Sequence, residues 1–300
     1  MHSETAERPG TAVDGVEVLG SLSPSRAGDF MACPLLFRFR TVDRLPEPFS
    51  PDAVRGTVVH KVLENLFDLP AADRTPVRGA ELLQPAWEAV LAEEPEVAEM
   101  FAGADGSVPE LGAWLASCAD SLARYFALED PTRLEPAERE AYVETLLDSR
   151  LLLRGYVDRL DVAPTGDIRV VDYKTGSAPP EAFEAKALFQ MKFYALVIWR
   201  TRGVVPRMLQ LIYLGSGELL RYSPDEHDLL ATERKIEALW QAILHARETG
   251  DWRPNRSPLC AWCAHQALCP EFGGTPPPLP DPEAEAGSTV DDVASAGSEP

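Results

Sequence analysis

Apolar and polar positions recur with two different periods along the chain, and the change from one to the other near residue 139 divides it. Upstream the spacing is helical. Residues 52–67 place Val54, Val58, Val62 and Phe67 on one stripe with Leu63 and Leu66 beside them, the pattern of an amphipathic helix. Ser23-Pro24 reads as an N-cap followed by proline at the first helical position, opening a short helix that runs toward Cys33-Pro34. A second short helix then carries Leu36, Phe37 and Phe39. Further helices are expected over 79–93 and 110–128, with a turn signal at Gly103–Gly106 between them. Downstream of residue 139 the period shortens. Tyr142, Val143, Leu151, Leu153, Tyr156, Val157, Leu160 and Val162 predict two strands, and Ile168, Val170, Val171 and Tyr173 a third. A helix over about 181–200, strands near 206–214 and 217–222, and a long helix over about 225–249 complete the series. Helix, three strands, helix, strand is an α/β order with a mixed central sheet flanked by helices.

Two segments escape either period. Residues 1–20 are polar and aperiodic, and residues 274–300 are rich in Pro, Ala, Gly, Ser and acids, so both are expected to be disordered. The domain between them spans 21–273, with a helical insertion at about 70–135. No internal repeat is present. At 300 residues and 45% hydrophobic content the chain is long enough for one sizeable core plus a small appended module. No run approaches the roughly 18 apolar residues of a membrane span, and Met1–Gly10 has no apolar signal core, which predicts a cytoplasmic protein without a membrane partner.

The formal charge of −20 sits awkwardly with a nucleic-acid partner, because phosphate contacts supply much of such affinity. Its distribution changes that picture. Residues 271–300 carry seven acids, residues 79–123 carry nine, and neither stretch has a Lys or Arg; the rest of the chain holds 32 acids against 28 basic residues.

The chemistry concentrates in one predicted hairpin. The turn signal Ala163-Pro-Thr-Gly166 joins GYVDRLDV to DIRVVDYKTG, and a hairpin symmetric about Thr165 sets Asp158 directly opposite Asp172, with Cβ atoms roughly 4.5–5.5 Å apart. Carboxylates that close repel unless a cation lies between them, and oxygen-seeking divalent ions are the natural candidates. Lys174, two residues past Asp172, projects from the same face of the strand, whereas Tyr173 points into the core. A metal beside an ammonium is equipped for phosphodiester hydrolysis. The alternative is a solvated strand surface formed by Asp158, Arg159 and Asp161, with Lys174 in a cross-strand ion pair. Three acids, Glu138, Glu140 and Glu144, lie on the preceding strand as possible further ligands, and no register selects among them. His60 reads as an ordinary half-buried helix histidine, and Glu64, one turn later, as its partner or a solvated charge.

Gly155-Tyr-Val-Asp158-Arg-Leu-Asp161 followed by Val171-Asp172-Tyr-Lys174-Thr-Gly176 closely resembles two motifs of the RecB-like branch of the PD-(D/E)XK nucleases. Gly56-Thr-Val-Val-His60 upstream and Gln190-Met-Lys-Phe-Tyr194 downstream are similar to two further signatures of that branch, in the same order. The resemblance implies a PD-(D/E)XK core in which His60, Asp158, Asp172 and the main-chain carbonyl of Tyr173 hold Mg²⁺ or Mn²⁺. It makes Lys174 the catalytic lysine and gives Gln190 and Tyr194 DNA contacts and support of the site. The activity it implies is a metal-dependent deoxyribonuclease, an exonuclease on single-stranded DNA ends in recombination or repair. No Walker A pattern occurs in the chain, so a helicase would be a separate partner. The alternative is a nonhydrolytic DNA-end-binding or structural module.

Cys260-x2-Cys263-x5-Cys269-Pro270 is one ligand short of the four that a tetrahedral site or a cubane requires, and Cys33, also followed by proline, is the natural fourth. The arrangement resembles the iron-sulfur staple of AddB-type and CRISPR-associated RecB-like nucleases, which implies a [4Fe-4S] cluster. Structural Zn²⁺ is the alternative, with His265 as local fourth ligand and Cys33 as a buried thiol. Cys118, in an apolar helix, reads as a small core residue. Arg26, Arg38, Arg40, Arg44, Arg253 and Arg256 around this module are candidates to hold DNA, or scattered surface charge, and Trp252 and Trp262 either stack on its bases or belong to the core.

Overall fold

The computed structural model describes residues 12–13, 16–101, 110–180 and 184–280. Its frame is a six-stranded mixed sheet covered on both faces by helices. The strands in chain order are β1 (Ala12–Val13), β2 (Val16–Glu17), β3 (Gly20–Leu22), β4 (Glu138–Leu146), β5 (Leu151–Val162), β6 (Ile168–Lys174), β7 (Met208–Tyr213) and β8 (Glu218–Tyr222). β1 and β2 pair only with each other; β3-β5-β6-β7-β8 form the main order, with β4 along β5. β5 is antiparallel to β4 and β6, β6 is parallel to β7, and β7 is antiparallel to β8. A parallel pair needs a crossover, and a helix supplies it.

The helices are α1 (Pro24–Ala32), α2 (Pro34–Phe37), α3 (Pro51–Leu66), α4 (Pro76–Glu81), α5 (Leu83–Glu93), α6 (Leu111–Leu128), α7 (Glu184–Arg202) and α8 (Glu226–Thr249). Their local causes are legible. The Ser23 hydroxyl accepts from the Arg26 amide at 3.3 Å and Pro24 opens α1, as the spacing predicted. α2 widens at its end into a π-helical turn over Arg38–Val42. The single helix expected over 79–93 is instead two, beginning at Pro76 and interrupted at Leu82, because Pro85 has no N–H to donate back to Glu81.

Two cores result. On one face α1, α7 and α8 bury Leu160, Val170, Leu209 and Leu211 with Phe193 and Trp240; on the other α3, α5 and α6 bury Val171, Tyr173, Ile212 and Leu214. Cys118 is fully buried in the second, as expected, and burial pushes its thiol up to about 11. Val157 and Leu160 lie in the same core although they are an odd number of residues apart, so the alternation of faces changes phase between them. That phase change falls at Asp158.

The expectation of disorder over 1–20 and 274–300 is partly corrected. Gly20–Leu22 joins the sheet beside Leu151–Leu153, Ala12–Val13 pairs with Val16–Glu17, and the Pro277 carbonyl accepts a hydrogen bond from Arg38. Residues 1–11 and 281–300, and the turn expected at Gly103–Gly106, lie outside the described residues. Among the described residues, no helix is long and apolar enough to cross a membrane.

Candidate active site

The β5–β6 hairpin has the register its turn predicted. The Gly166 amide donates to the Ala163 carbonyl at 2.8 Å, and the ladder runs from Val162↔Ile168 to Arg159↔Val171. The next pair in register is Asp158 and Asp172, but the backbone ladder stops one step short of it. Asp158 takes over with its side chain: Oδ2 accepts from the Tyr173 amide at 2.6 Å. The carboxylate therefore closes the opening where β5 leaves β6.

His60, on α3, reaches the same place from the opposite layer. Its Nε2 lies 2.9 Å from the Tyr173 carbonyl and its Nδ1 3.6 Å from Asp158 Oδ2. Glu140 completes the group; ligand atoms of His60, Glu140 and Asp158 all lie within 4.8 Å of one another. Glu140 was one of three acids that the sequence left undecided. Its neighbours pair with β5 in unbroken register, Arg139↔Arg159 and Ala141↔Val157, while Glu140 itself stands out of the ladder across from Asp158 with φ 43°. The missed signal was the turn Asp148-Ser149: a hairpin symmetric about Ser149 puts Glu140 opposite Asp158, by the reasoning that paired Asp158 with Asp172. The Glu64 carboxylate pairs with Lys61 at 3.3 Å.

Asp172 is 2% exposed. Lys174 Nζ stands 3.0 Å from its Oδ2, and Gln190 ties the two together, accepting from Lys174 Nζ at 2.9 Å and donating to Asp172 Oδ1 at 3.1 Å. Asp172 Oδ2 meets the Lys174 ammonium but accepts no hydrogen bond of good geometry, which leaves a buried oxygen with lone-pair capacity that a second cation can use. Burial pushes the Asp172 carboxyl up to about 6, against the pull of the Lys174 ammonium and with the further push of Asp158. Burial, then the Asp158 charge, raises Glu140 to about 7, with His60 opposing. Crowded acids held above their ordinary range are what an oxygen-seeking divalent ion relieves.

Gln190 and Tyr194, one turn apart on α7, divide their work. Gln190 supports the Asp172–Lys174 pair. Tyr194 is buried against Gly155, where a Cβ would stand 2.9 Å from its ring. Behind the site, Arg159 corrects the reading of a solvated strand: it is 1% exposed and bonded to Glu129 at 2.8 Å and to the Tyr173 hydroxyl at 2.6 Å.

Cys33, Cys260, Cys263 and Cys269 line one cavity of about 230 Å³, and none forms a disulfide. The Asn255 and Ser257 amides approach the Cys33 and Cys260 sulfurs at 3.3 and 3.4 Å. Burial, with the neighbouring thiols, pushes the Cys263 thiol up. His265 is turned away, with Nε2 2.7 Å from Glu47 Oε1 and its ring against Phe39. Of the basic candidates nearby, Arg38 is buried and paired with Asp43, and Arg40 is held by Asp29 and Glu47. Trp252 is 5% exposed and stacked on Phe37, a core residue, whereas Trp262 is 79% exposed.

A hairpin presenting two aspartates and a lysine at the opening of a mixed sheet, with a histidine and a glutamate converging on the same gap, defines a metal-dependent hydrolase class. Residues 21–270 match the family model of the PD-(D/E)XK nuclease superfamily, and the chain belongs to that superfamily. It is 32% identical over 139 residues to the Gene 69 protein of Mycobacterium phage D29, covering 44% of this chain and 48% of that one. The Gene 69 protein of Mycobacterium phage L5 is 28% identical over 123 residues, 40% of each chain. The chain thus spans less than half the length of these curated relatives. A crystal structure from Eubacterium rectale, described as a "Putative exonuclease", superposes with a TM-score of 0.55 at 14% identity, over 90% of this chain and 94% of that one, and shares the fold.

Proposed function

We propose that the chain is a Mg²⁺- or Mn²⁺-dependent deoxyribonuclease of the RecB-like kind, an exonuclease acting on single-stranded DNA ends in recombination or repair, with unwinding supplied by a separate helicase. The observation that carries this reading is the convergence of His60, Glu140 and Asp158 beside the buried, under-bonded Asp172 and its Lys174. His60, Glu140, Asp158, Asp172 and the Tyr173 carbonyl are the donors that would hold the ion. When bound, it polarises the phosphodiester and lowers the pKa of water. Lys174, kept protonated by Asp172 and Asp158 although burial opposes it, places an ammonium where negative charge develops. Gln190 fixes the orientation of Lys174 and Asp172. The name given to the Eubacterium rectale protein supports the exonuclease assignment, and exposed Trp262, which lines the same cavity as Arg256, supports a single strand.

We assign the four-cysteine cavity to a [4Fe-4S] cluster. Four thiols around one cavity, the remote Cys33 among them, match the four cysteine ligands that a cubane takes. His265 does not line the cavity, its Nε2 standing 2.7 Å from Glu47 Oε1, so Cys33 is the fourth donor there.

The test is anaerobically purified protein and its Asp172→Ala variant, each incubated with end-labelled single-stranded DNA and Mn²⁺. Progressive shortening by the intact protein alone is expected. Equal activity of the two would sink the site, and no shortening by either would favour a nonhydrolytic end-binding module. A brown protein with bound iron supports the cluster; a colourless one with zinc overturns it.

A further inference from the structure

Directly beyond Lys174 the chain borders a second cavity, of about 320 Å³, lined by Thr175, Gly176 and Ser177 on one side and by Arg55, Asp120 and Arg124 among others on the opposite side. We infer that this cavity is a phosphate subsite, holding a backbone phosphate of the DNA strand next to the one being cleaved. The inference rests on the nuclease reading and adds to it a place for the substrate.

Position is the first argument. The lining begins one residue after the candidate catalytic lysine. Arg55 and His60 are presented by the same helix, five residues or about 7.5 Å apart along its axis. The cavity and the candidate site thus share α3 and the end of β6, although five residues turn a helix by about 140° and Arg55 and His60 leave it on different sides.

Construction is the second. The Gly215 amide donates to the Gly176 carbonyl at 3.0 Å, and a Cβ on Gly215 would stand 2.4 Å from the Gly176 carbonyl carbon. Ser216 Oγ accepts from the Ala178 amide at 3.0 Å. The loop is thus held against the end of β7 by contacts between backbones, which fixes the wall that faces the arginines.

Chemistry is the third. Arg124 spends one donor on the Leu214 carbonyl at 3.2 Å and has no carboxylate partner among the described residues, leaving most of its five N–H groups for an anion. Arg55 donates to Ser117 Oγ at 3.3 Å and pairs with Asp52, whose side chain is 83% exposed; such a surface pair yields readily to a phosphate. Two guanidiniums with the hydroxyls of Thr175 and Ser177 make a donor-rich wall of the kind that takes phosphate oxygens, while Ser117 spends its proton on the Trp114 carbonyl and holds Arg55. Asp120 is the one acid in the lining among the described residues and works against the anion.

That opposition gives the test a sign in each direction. Affinity for a fluorescent single-stranded oligonucleotide is measured over a salt series in EDTA, so that no cleavage competes. Arg124→Ala is expected to weaken binding roughly tenfold and to reduce the slope of log affinity against log salt by about 0.7. Arg124→Lys is expected to keep the slope, and Asp120→Asn to tighten binding. In turnover with Mn²⁺, Arg124→Ala raises KM while kcat is retained. Unchanged affinity and slope in both Arg124→Ala and the double variant Arg55→Ala/Arg124→Ala, or no tightening by Asp120→Asn, overturns the subsite. If Asp172→Ala cleaves like the intact protein, the nuclease reading fails instead; if it is inactive while the arginine variants bind like the parent, only the subsite fails.

Discussion

Glu140 is held with φ 43°, a left-handed conformation that costs a residue with a Cβ about 1–2 kcal/mol. Strain of this kind persists where the surroundings impose it, and here it aims a carboxylate into the gap shared by His60 and Asp158. Function and stability should therefore separate at this position. Glu140→Gly releases the backbone strain but adds chain entropy to the unfolded state, so its unfolding free energy is expected within about 1 kcal/mol of the parent. The rise in Tm produced by Mn²⁺ should fall sharply. A full Mn²⁺ shift in Glu140→Gly would remove Glu140 from the ligand set. Asp158, Asp172 and Lys174 could be read from one hairpin because register is local. Glu140 needed a second hairpin and a residue out of its ladder, which alternation alone does not announce.

Between elements, a buried polar network joins the end of α6 to three strands. Glu129 accepts from Arg159 on β5 and from Gln210 on β7, and Arg159 in turn donates to the Tyr173 hydroxyl on β6. Burial by itself would raise the Glu129 carboxyl, but the hydrogen bonds and charge of Arg159, with Arg169 and Gln210, hold it below the usual 4.5. A depressed folded-state pKa contributes stability that is full above the unfolded value and is lost as pH falls through the folded one. Glu129→Gln leaves the buried Arg159 charge with Asp161 as its one carboxylate among the described residues, at a cost of about 3 kcal/mol near neutral pH. In urea titrations the gap between the two proteins should narrow as the pH is taken below 4.5. A gap that widens in acid would refute the assignment. Because the network sits under Tyr173, whose main chain faces His60 and Asp158, it also sets the position of the metal-facing backbone.

At the scale of the molecule, the cysteine cavity brings residue 33 to residues 260–269 and so closes the chain around both cores. The protein makes part of this closure itself: Asn255 bonds to the Ala32 carbonyl at 2.9 Å, and Arg38 to the Pro277 carbonyl. A covalent tie across so long a loop removes about 5 kcal/mol of unfolded-state entropy in the chain-entropy account. Cys33→Ser is expected to lose bound iron and to lower Tm by about 10 °C. Unchanged iron content with an unchanged Tm would show that Cys33 is not a ligand.

The order of helices and strands, the register of the β5–β6 hairpin and the face that Asp172 shares with Lys174 were legible in the sequence, because each depends on short-range periodicity or a turn between neighbours. Tertiary structure decided which acid joined Asp158, that Arg159 was buried and not solvated, that Trp252 was core and Trp262 surface, and that His265 turned to Glu47. Each of those outcomes depends on what a distant segment brings alongside. Asp158 and Asp172 show both levels at once: their hairpin sets them opposite each other, and only the packing of α3 and β4 against that hairpin brings His60 and Glu140 to the same gap.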